Sequence, residues 1–142
     1  MLSLTKLFYF ELAHAIHGYS DDCENIHGHS YKLEVTITSA QKKEDYIAAP
    51  GFIIDFKELK QIVNSSIIKQ FDHRLVLSKD FLRTHPELKN QANLVTWEIE
   101  PSAENLLLYI RNVLSGKLPA YVKLVKLKLN ETKDSFAEWI NN

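Results

Sequence analysis

His27-Gly28-His29-Ser30-Tyr31-Lys32-Leu33-Glu34-Val35-Thr36-Ile37-Thr38 alternates residue by residue. His27, His29, Tyr31, Leu33, Val35 and Ile37 share one side of an extended chain, and Lys32, Glu34, Thr36 and Thr38 take the other. A period of two over this length predicts a β-strand with one face on a core and one toward water. Upstream, Phe8, Phe10, Leu12, His14 and Ile16 repeat the pattern and predict a strand over 4–16.

Downstream, residues 39–50 are polar and lead into Pro50-Gly51, a turn signal. Phe52-Ile53-Ile54 then reads as a third strand, reached by a hairpin connection. Asp55 caps a helix, with Glu58 three residues on in the capping-box position. Phe56, Leu59, Ile62, Val63, Ile67 and Phe71 form its apolar face. Residues 72–95 show no clear period, and 96–100 reads as a short strand. Ser102 caps a second helix with Glu104 in its first turn; Leu106, Leu107, Tyr109, Ile110, Val113 and Leu114 supply its buried stripe, and Gly116 is a natural stop. The last strand runs over 121–131, with Val125, Leu127 and Leu129 inward and Lys126 and Lys128 outward. Short connections favour an antiparallel sheet with helices on one face, an α+β domain. The sheet edges are left uncovered; Lys126 and Lys128 could blunt one, or edge pairing could build an oligomer.

The 142 residues carry 17 basic and 18 acidic side chains, a net charge of -1. No strong field favours nucleic acid or an anionic membrane, so an anionic small substrate needs a local basic pocket. At 45% hydrophobic the chain can bury a core, and one domain, 1–142, is expected. Cys23 is the single cysteine, which excludes an intrachain disulfide and fits a reducing compartment. There is no signal-peptide pattern and no run approaching the roughly 20 apolar residues that cross a bilayer. A cytoplasmic protein is the expectation.

His27-Gly28-His29 places two imidazoles on one face of a strand, with Gly28 removing bulk between them. If the first two strands pair antiparallel, the end of one meets the start of the next, and His14 comes close to both. Three neutral imidazoles with one open position are the donor set of a catalytic zinc ion. Cys23, four residues before His27, has three readings: a base or nucleophile with a depressed pKa, a fourth zinc ligand, or a small buried hydrophobe. Glu24 beside it is a rival general base or a solvated loop charge. Asp72-His73 is either an acid orienting a proton-transferring imidazole or an exposed turn. Glu131 is in phase with the inward residues of the last strand, so it needs a donor partner. A pterin ring offers adjacent N–H groups to such a carboxylate; the alternative is a strand-end charge.

Taken together, these residues resemble the 6-pyruvoyltetrahydropterin synthase superfamily over nearly the whole chain. Phe10-Glu11-Leu12-Ala13-His14 resembles the first zinc-ligand strand, and the stretch from Cys23 to Tyr31 the cysteine-plus-HGH signature. Gly51-Phe52-Ile53-Ile54-Asp55-Phe56, Phe71-Asp72-His73-Arg74-Leu75, Pro101-Ser102-Ala103-Glu104-Asn105 and Leu129-Asn130-Glu131-Thr132 match further motifs in order. The resemblance implies a tunnelling fold (T-fold): an antiparallel four-stranded sheet with two helices packed on one face. It implies zinc on His14, His27 and His29, Cys23 as general base, Asp72 and His73 as a second proton-transfer unit, and Glu131 and Glu104 as substrate-binding residues. It also implies a homohexamer, a dimer of trimers, with active sites between subunits.

Within the superfamily, the spacing Cys23-x3-His27-Gly28-His29 resembles the bacterial 6-carboxy-5,6,7,8-tetrahydropterin synthases of queuosine and 7-deazaguanine synthesis. The implied reaction converts 7,8-dihydroneopterin triphosphate to the 6-carboxy pterin, acetaldehyde and triphosphate. Glu24 stands where a folate-route branch carries its base, so the chain holds both bases. Rival readings are a pyruvoyl synthase that stops after triphosphate loss, folate-route release of 6-hydroxymethyl-7,8-dihydropterin, and a non-catalytic zinc-stabilised module. Two departures stand out. Ala103 replaces the usual threonine before the helix-two glutamate, and the segment 78–99 is longer than in compact members.

Overall fold

In the computed structural model, which describes residues 1–19, 24–41 and 45–142, the alternating stretch is strand β2 (His27–Ser39). It pairs antiparallel with β1 (Leu4–His14) from Leu4↔Ile37 to His14↔His27. That register puts Phe8, Phe10 and Leu12 on the same face as Tyr31, Leu33, Val35 and Ile37, all buried. A slip of one residue would turn every one of them to water, which is why the register is strongly specified.

The next segment departs from expectation. Phe52-Ile53-Ile54 is not a strand; it is an irregular approach that buries Ile54 and ends at Asp55. Gly51 there has φ +88 and its N–H donates to the Ala48 carbonyl, closing the predicted turn. Asp55 caps α1 (Phe56–Val63), accepting from the Lys57 N–H at 2.8 Å. Glu58 does not complete a capping box: its carboxylate accepts from the Tyr121 hydroxyl at 3.2 Å. The helix continues through a π-helical stretch (Asn64–Ile68) into α2 (Lys69–Phe71), where the Ser66 hydroxyl donates to the Ile62 carbonyl. Leu59, Val63, Ile67 and Phe71 are buried along this rod, as its apolar spacing predicts.

The stretch without a clear period contains β3 (Arg74–Ser78), α3 (Lys79–Thr84) and a 3₁₀ turn (Pro86–Asn90), followed by β4 (Leu94–Trp97). β3 runs parallel to β1, and β4 parallel to β3. β3 is buried on both sides, so Leu75-Val76-Leu77 is a continuous apolar run rather than an alternation. Leu75 and Leu77 meet Phe81 and Leu82 of α3, on the side away from the main core. The long 78–99 segment thus supplies an edge strand and a lid over the far face of β3.

Ser102 caps α4 (Ala103–Lys117), accepting from the Asn105 N–H. The helix runs past Gly116 to Lys117. β5 (Val122–Asn130) pairs antiparallel with β2, with a bulge between Thr36 and Ile37. β6 (Phe136–Ile140) then folds back antiparallel on β5.

The sheet order is β4-β3-β1-β2-β5-β6. The expectation of an antiparallel four-stranded sheet is corrected to a mixed sheet of six strands. β3 and β6 lack the long alternating pattern that marks β1 and β2, and parallel pairing needs crossovers that no local turn signal announces. The two long helical segments do pack on one face, over the core of β1, β2 and β5. Lys126 and Lys128 blunt no edge, because β6 covers β5. Lys126 pairs with Glu138 at 3.5 Å and Lys128 sits 3.9 Å from the Phe136 ring centroid.

Candidate metal centre and substrate cleft

The β1–β2 register ends at His14↔His27, at the end of the core face that apolar side chains do not fill. His14, His27 and His29 converge there, with one donor atom from each lying within 4.8 Å of the others. His14 and His27 face one another directly, their Nε2 atoms 3.0 Å apart. Their outer nitrogens are fixed. His14 Nδ1 donates to the Pro101 carbonyl and His27 Nδ1 to the Asn25 carbonyl, each at 2.7 Å. A carbonyl only accepts, so both Nδ1 atoms carry the proton in the neutral ring and both Nε2 atoms present lone pairs.

This donor set fits a zinc ion. Two lone pairs aimed at each other across 3.0 Å repel unless a cation or a shared proton lies between them. Carbonyl-anchored histidines are the usual outer support of metal ligands. His29 Nε2 is a further sign: it is buried without a hydrogen-bond partner among the described residues. Burial is the main cause that holds the pKa of His14 and of His29 below the ordinary 6.5. Both are kept neutral, the form that binds metal.

Glu131 follows β5 and lies 3.5 Å from His29 Nε2, near enough for charge attraction though not aligned as a hydrogen bond. Beside it opens a cleft of about 550 Å³, walled by His14, Tyr19, Ser102, Ala103, Glu104, Glu131 and Phe136. The start of α4 and the end of β5 therefore both line it, bringing Glu104 and Glu131 to one cavity. Ala103 stands in this wall, so its methyl group, not a hydroxyl, meets whatever the cleft holds.

The remaining expected residues are placed differently. Cys23 lies outside the described residues. Glu24 is exposed, next to the Asn25 carbonyl that holds His27. Asp72 and His73 form a pair at 3.1 Å but do not join the histidines. Asp72 accepts from the Glu11 N–H at 2.9 Å, and the His73 N–H donates to the Glu11 carbonyl at 2.7 Å. Glu11 is three strand positions from His14, about 10 Å along β1. The His73 side chain is 79% exposed and its backbone is left-handed, at φ 60. Gly28, expected to clear space at the metal, is exposed on the opposite side of β2; a Cβ there meets only the Leu12 carbonyl, at 3.6 Å.

The chain matches the family model described as 6-pyruvoyl tetrahydropterin synthase over residues 3–141. This chain belongs to that family. It is 32% identical over 142 residues to a 6-carboxy-5,6,7,8-tetrahydropterin synthase from Rickettsia typhi, covering 97% of this chain and 99% of that one. A protein of the same description from Haemophilus influenzae is 32% identical over 143 residues, covering 98% and 99%. Among solved structures, a Plasmodium vivax 6-pyruvoyl tetrahydropterin synthase superposes with a TM-score of 0.70 at 20% identity, covering 100% of this chain and 99% of that one. It shares the fold.

Two features of this family member escaped the sequence reading. One is the pair of carbonyls, Asn25 and Pro101, that orient His27 and His14; main-chain acceptors leave no residue-type signal. The other is Tyr31, whose ring lies edge-on to His14 and His29 and whose buried hydroxyl has no partner among the described residues. Its signal was available, since Tyr31 shares the face of the two histidines.

Proposed function

We propose that this chain is a zinc-dependent lyase. It converts 7,8-dihydroneopterin triphosphate and water to 6-carboxy-5,6,7,8-tetrahydropterin, acetaldehyde and triphosphate, in queuosine and 7-deazaguanine biosynthesis. The observation that carries this reading is the convergence of His14, His27 and His29 at a cleft that also holds Glu131. The full-length relatives described as 6-carboxy-5,6,7,8-tetrahydropterin synthases support the choice of product.

His14, His27 and His29 would hold the ion, which when bound supplies Lewis acidity toward the side-chain oxygens of the substrate. The chain's own groups do the rest. Glu131 accepts from adjacent N–H groups of the pterin ring, and Glu104 binds substrate from the start of α4. Cys23 removes a side-chain proton; Glu24 is the alternative base. Asp72 orients the His73 imidazole while it moves a proton at the other carbon. That pair is clipped to β1 away from the three histidines of its own chain, which supports a role at a site on another subunit. The assembly proposed is a homohexamer, a dimer of trimers, and the compartment proposed is the cytoplasm.

Incubation of zinc-loaded protein with 7,8-dihydroneopterin triphosphate tests the reading. Acetaldehyde and a 6-carboxy pterin are expected. Triphosphate release without acetaldehyde selects the pyruvoyl-type reaction, and 6-hydroxymethyl-7,8-dihydropterin the folate route. No turnover, with sulfur coordination at the metal, indicates a zinc-stabilised module.

A further inference from the structure

Two parts of the cleft lining are distant in the chain. Ile16 and Tyr19 lie just past β1, and Ser102, Ala103 and Glu104 lie at the start of α4. Among the described residues, two hydrogen bonds join these segments. One is the bond from His14 Nδ1 to the Pro101 carbonyl, which holds a ring. The other holds main chain: the His17 N–H donates to the Glu100 carboxylate at 2.7 Å. Residues 15–19 need such a tie, because β1 ends at His14 and no strand pairing holds them. His17 stands between the two cleft residues and is itself exposed, so packing does not fix it. Gly18 then turns the chain at φ +78, a left-handed conformation that strains a residue with a Cβ.

Glu100 is well fixed at the other end. Its main-chain carbonyl accepts from the Ser102 N–H and from Asn105 Nδ2, each at 2.9 Å, which ties it to the first turn of α4. Its side chain is not needed to cap that helix, since the Ser102 hydroxyl already does so. The carboxylate is half-buried and, among the described residues, enters no ion pair. A carboxylate in that position costs desolvation energy, which a charge-assisted bond from a main-chain N–H offsets. The His17 contact is therefore what this side chain does.

We infer that Glu100 is a positioning residue: it clamps residues 15–19 to the start of α4 and so sets how far Ile16 and Tyr19 stand from Ser102, Ala103 and Glu104. Glu100 lines no part of the cleft; it acts through the main chain of His17. A clamp of this kind holds a ligand equally before and during reaction, so its loss weakens binding and leaves the chemical step alone. That the ligand is a pterin rests on the function proposed above; the clamp does not.

Two variants of the full-length protein test it. Glu100→Gln keeps an oxygen that can accept from the His17 N–H, and Glu100→Ala removes it. Amide hydrogen exchange reads the clamp itself: the His17 N–H should be protected in the wild type and in Glu100→Gln, and exchange about tenfold faster in Glu100→Ala. Biopterin binding to zinc-loaded protein reads the consequence: Glu100→Ala should weaken it about tenfold, and Glu100→Gln by less than about threefold. In turnover of 7,8-dihydroneopterin triphosphate, Glu100→Ala should raise KM with kcat held within about twofold. Zinc content should be unchanged in both variants, because the Pro101 carbonyl holds His14 independently. The inference is overturned if Glu100→Ala leaves the His17 exchange rate or biopterin binding at the wild-type value, or if Glu100→Gln is no better than Glu100→Ala. A fall in kcat at constant KM, or a loss of zinc that parallels the loss of biopterin, overturns it as well. A wild type that binds no biopterin but shows the difference in His17 exchange upholds the clamp and removes the pterin reading.

Discussion

His14 Nε2 lies 3.0 Å from His27 Nε2, while the opposite nitrogen of each ring donates to a main-chain carbonyl. The two rings are thus turned lone pair to lone pair, and His29 completes the set. A divalent ion should bind with one equivalent per chain. At a free concentration about 100 times its Kd it should stabilise the protein by about 2.7 kcal/mol, read as a rise in melting temperature that a chelator reverses. His14→Ala, His27→Ala and His29→Ala should each abolish the rise. Retention of tight binding in any one of them would remove that histidine from the site.

The metal-free protein should lose stability in acid. His14 and His29 are both held below the ordinary value of 6.5, burial being the first cause. The unfolded chain therefore binds more protons than the folded one between the folded-state pKa values and 6.5. Stability is full above 6.5, falls as the pH drops through that value, and levels off below the folded-state values. Urea midpoints across this range measure it, and His14→Gln should flatten the fall. Metal affinity should decline at lower pH still, as the pH passes the folded-state values, because only there do protons compete for the same nitrogens in the folded protein. A wild-type midpoint constant from neutral pH down to about 5 contradicts the fall in stability.

His73 carries a conformational cost that is separable from its chemistry. Its φ of 60 is disfavoured for a residue with a Cβ. His73→Gly should stabilise the fold by about 0.5–1 kcal/mol in chemical denaturation, the gain limited by the larger entropy of the unfolded glycine. Turnover should fall by about 10²–10⁴ with the imidazole gone. Destabilisation by this change would mean that the contact with Asp72 outweighs the backbone term.

Gly28 sits between His27 and His29 yet faces away from them. Alanine there meets only the Leu12 carbonyl, at an ordinary 3.6 Å. Gly28→Ala should keep full metal stoichiometry and leave stability within about 0.5 kcal/mol, or raise it through the unfolded-state term. Loss of metal would show that strand bending, not side-chain volume, is what this glycine provides.

Much of the site was legible in the chain because it lies on two strands with a strict period. Alternation from His27 to Ile37 fixes which side each residue takes, and pairing with β1 brings His14 to His27. Glu131 was legible for the same reason, in phase with Leu127 and Leu129. β3 was not, because burial on both sides leaves Leu75-Val76-Leu77 without a polar alternate. Phe52-Ile53-Ile54 misled for the converse reason: three apolar residues fit a strand, yet among the described residues none pairs with them as a strand.

The sequence by itself determined the family, the strand faces and the histidine triad, since all three follow from local spacing and from the fixed geometry of a pleated strand. Only the tertiary structure decided the six-stranded order, the parallel placement of β3 and β4, and the separation of Asp72-His73 from the metal site. It also decided which carbonyls orient His14 and His27. These depend on contacts between residues distant in the chain, where main-chain acceptors and cross-strand neighbours are set by packing and leave no mark in residue type.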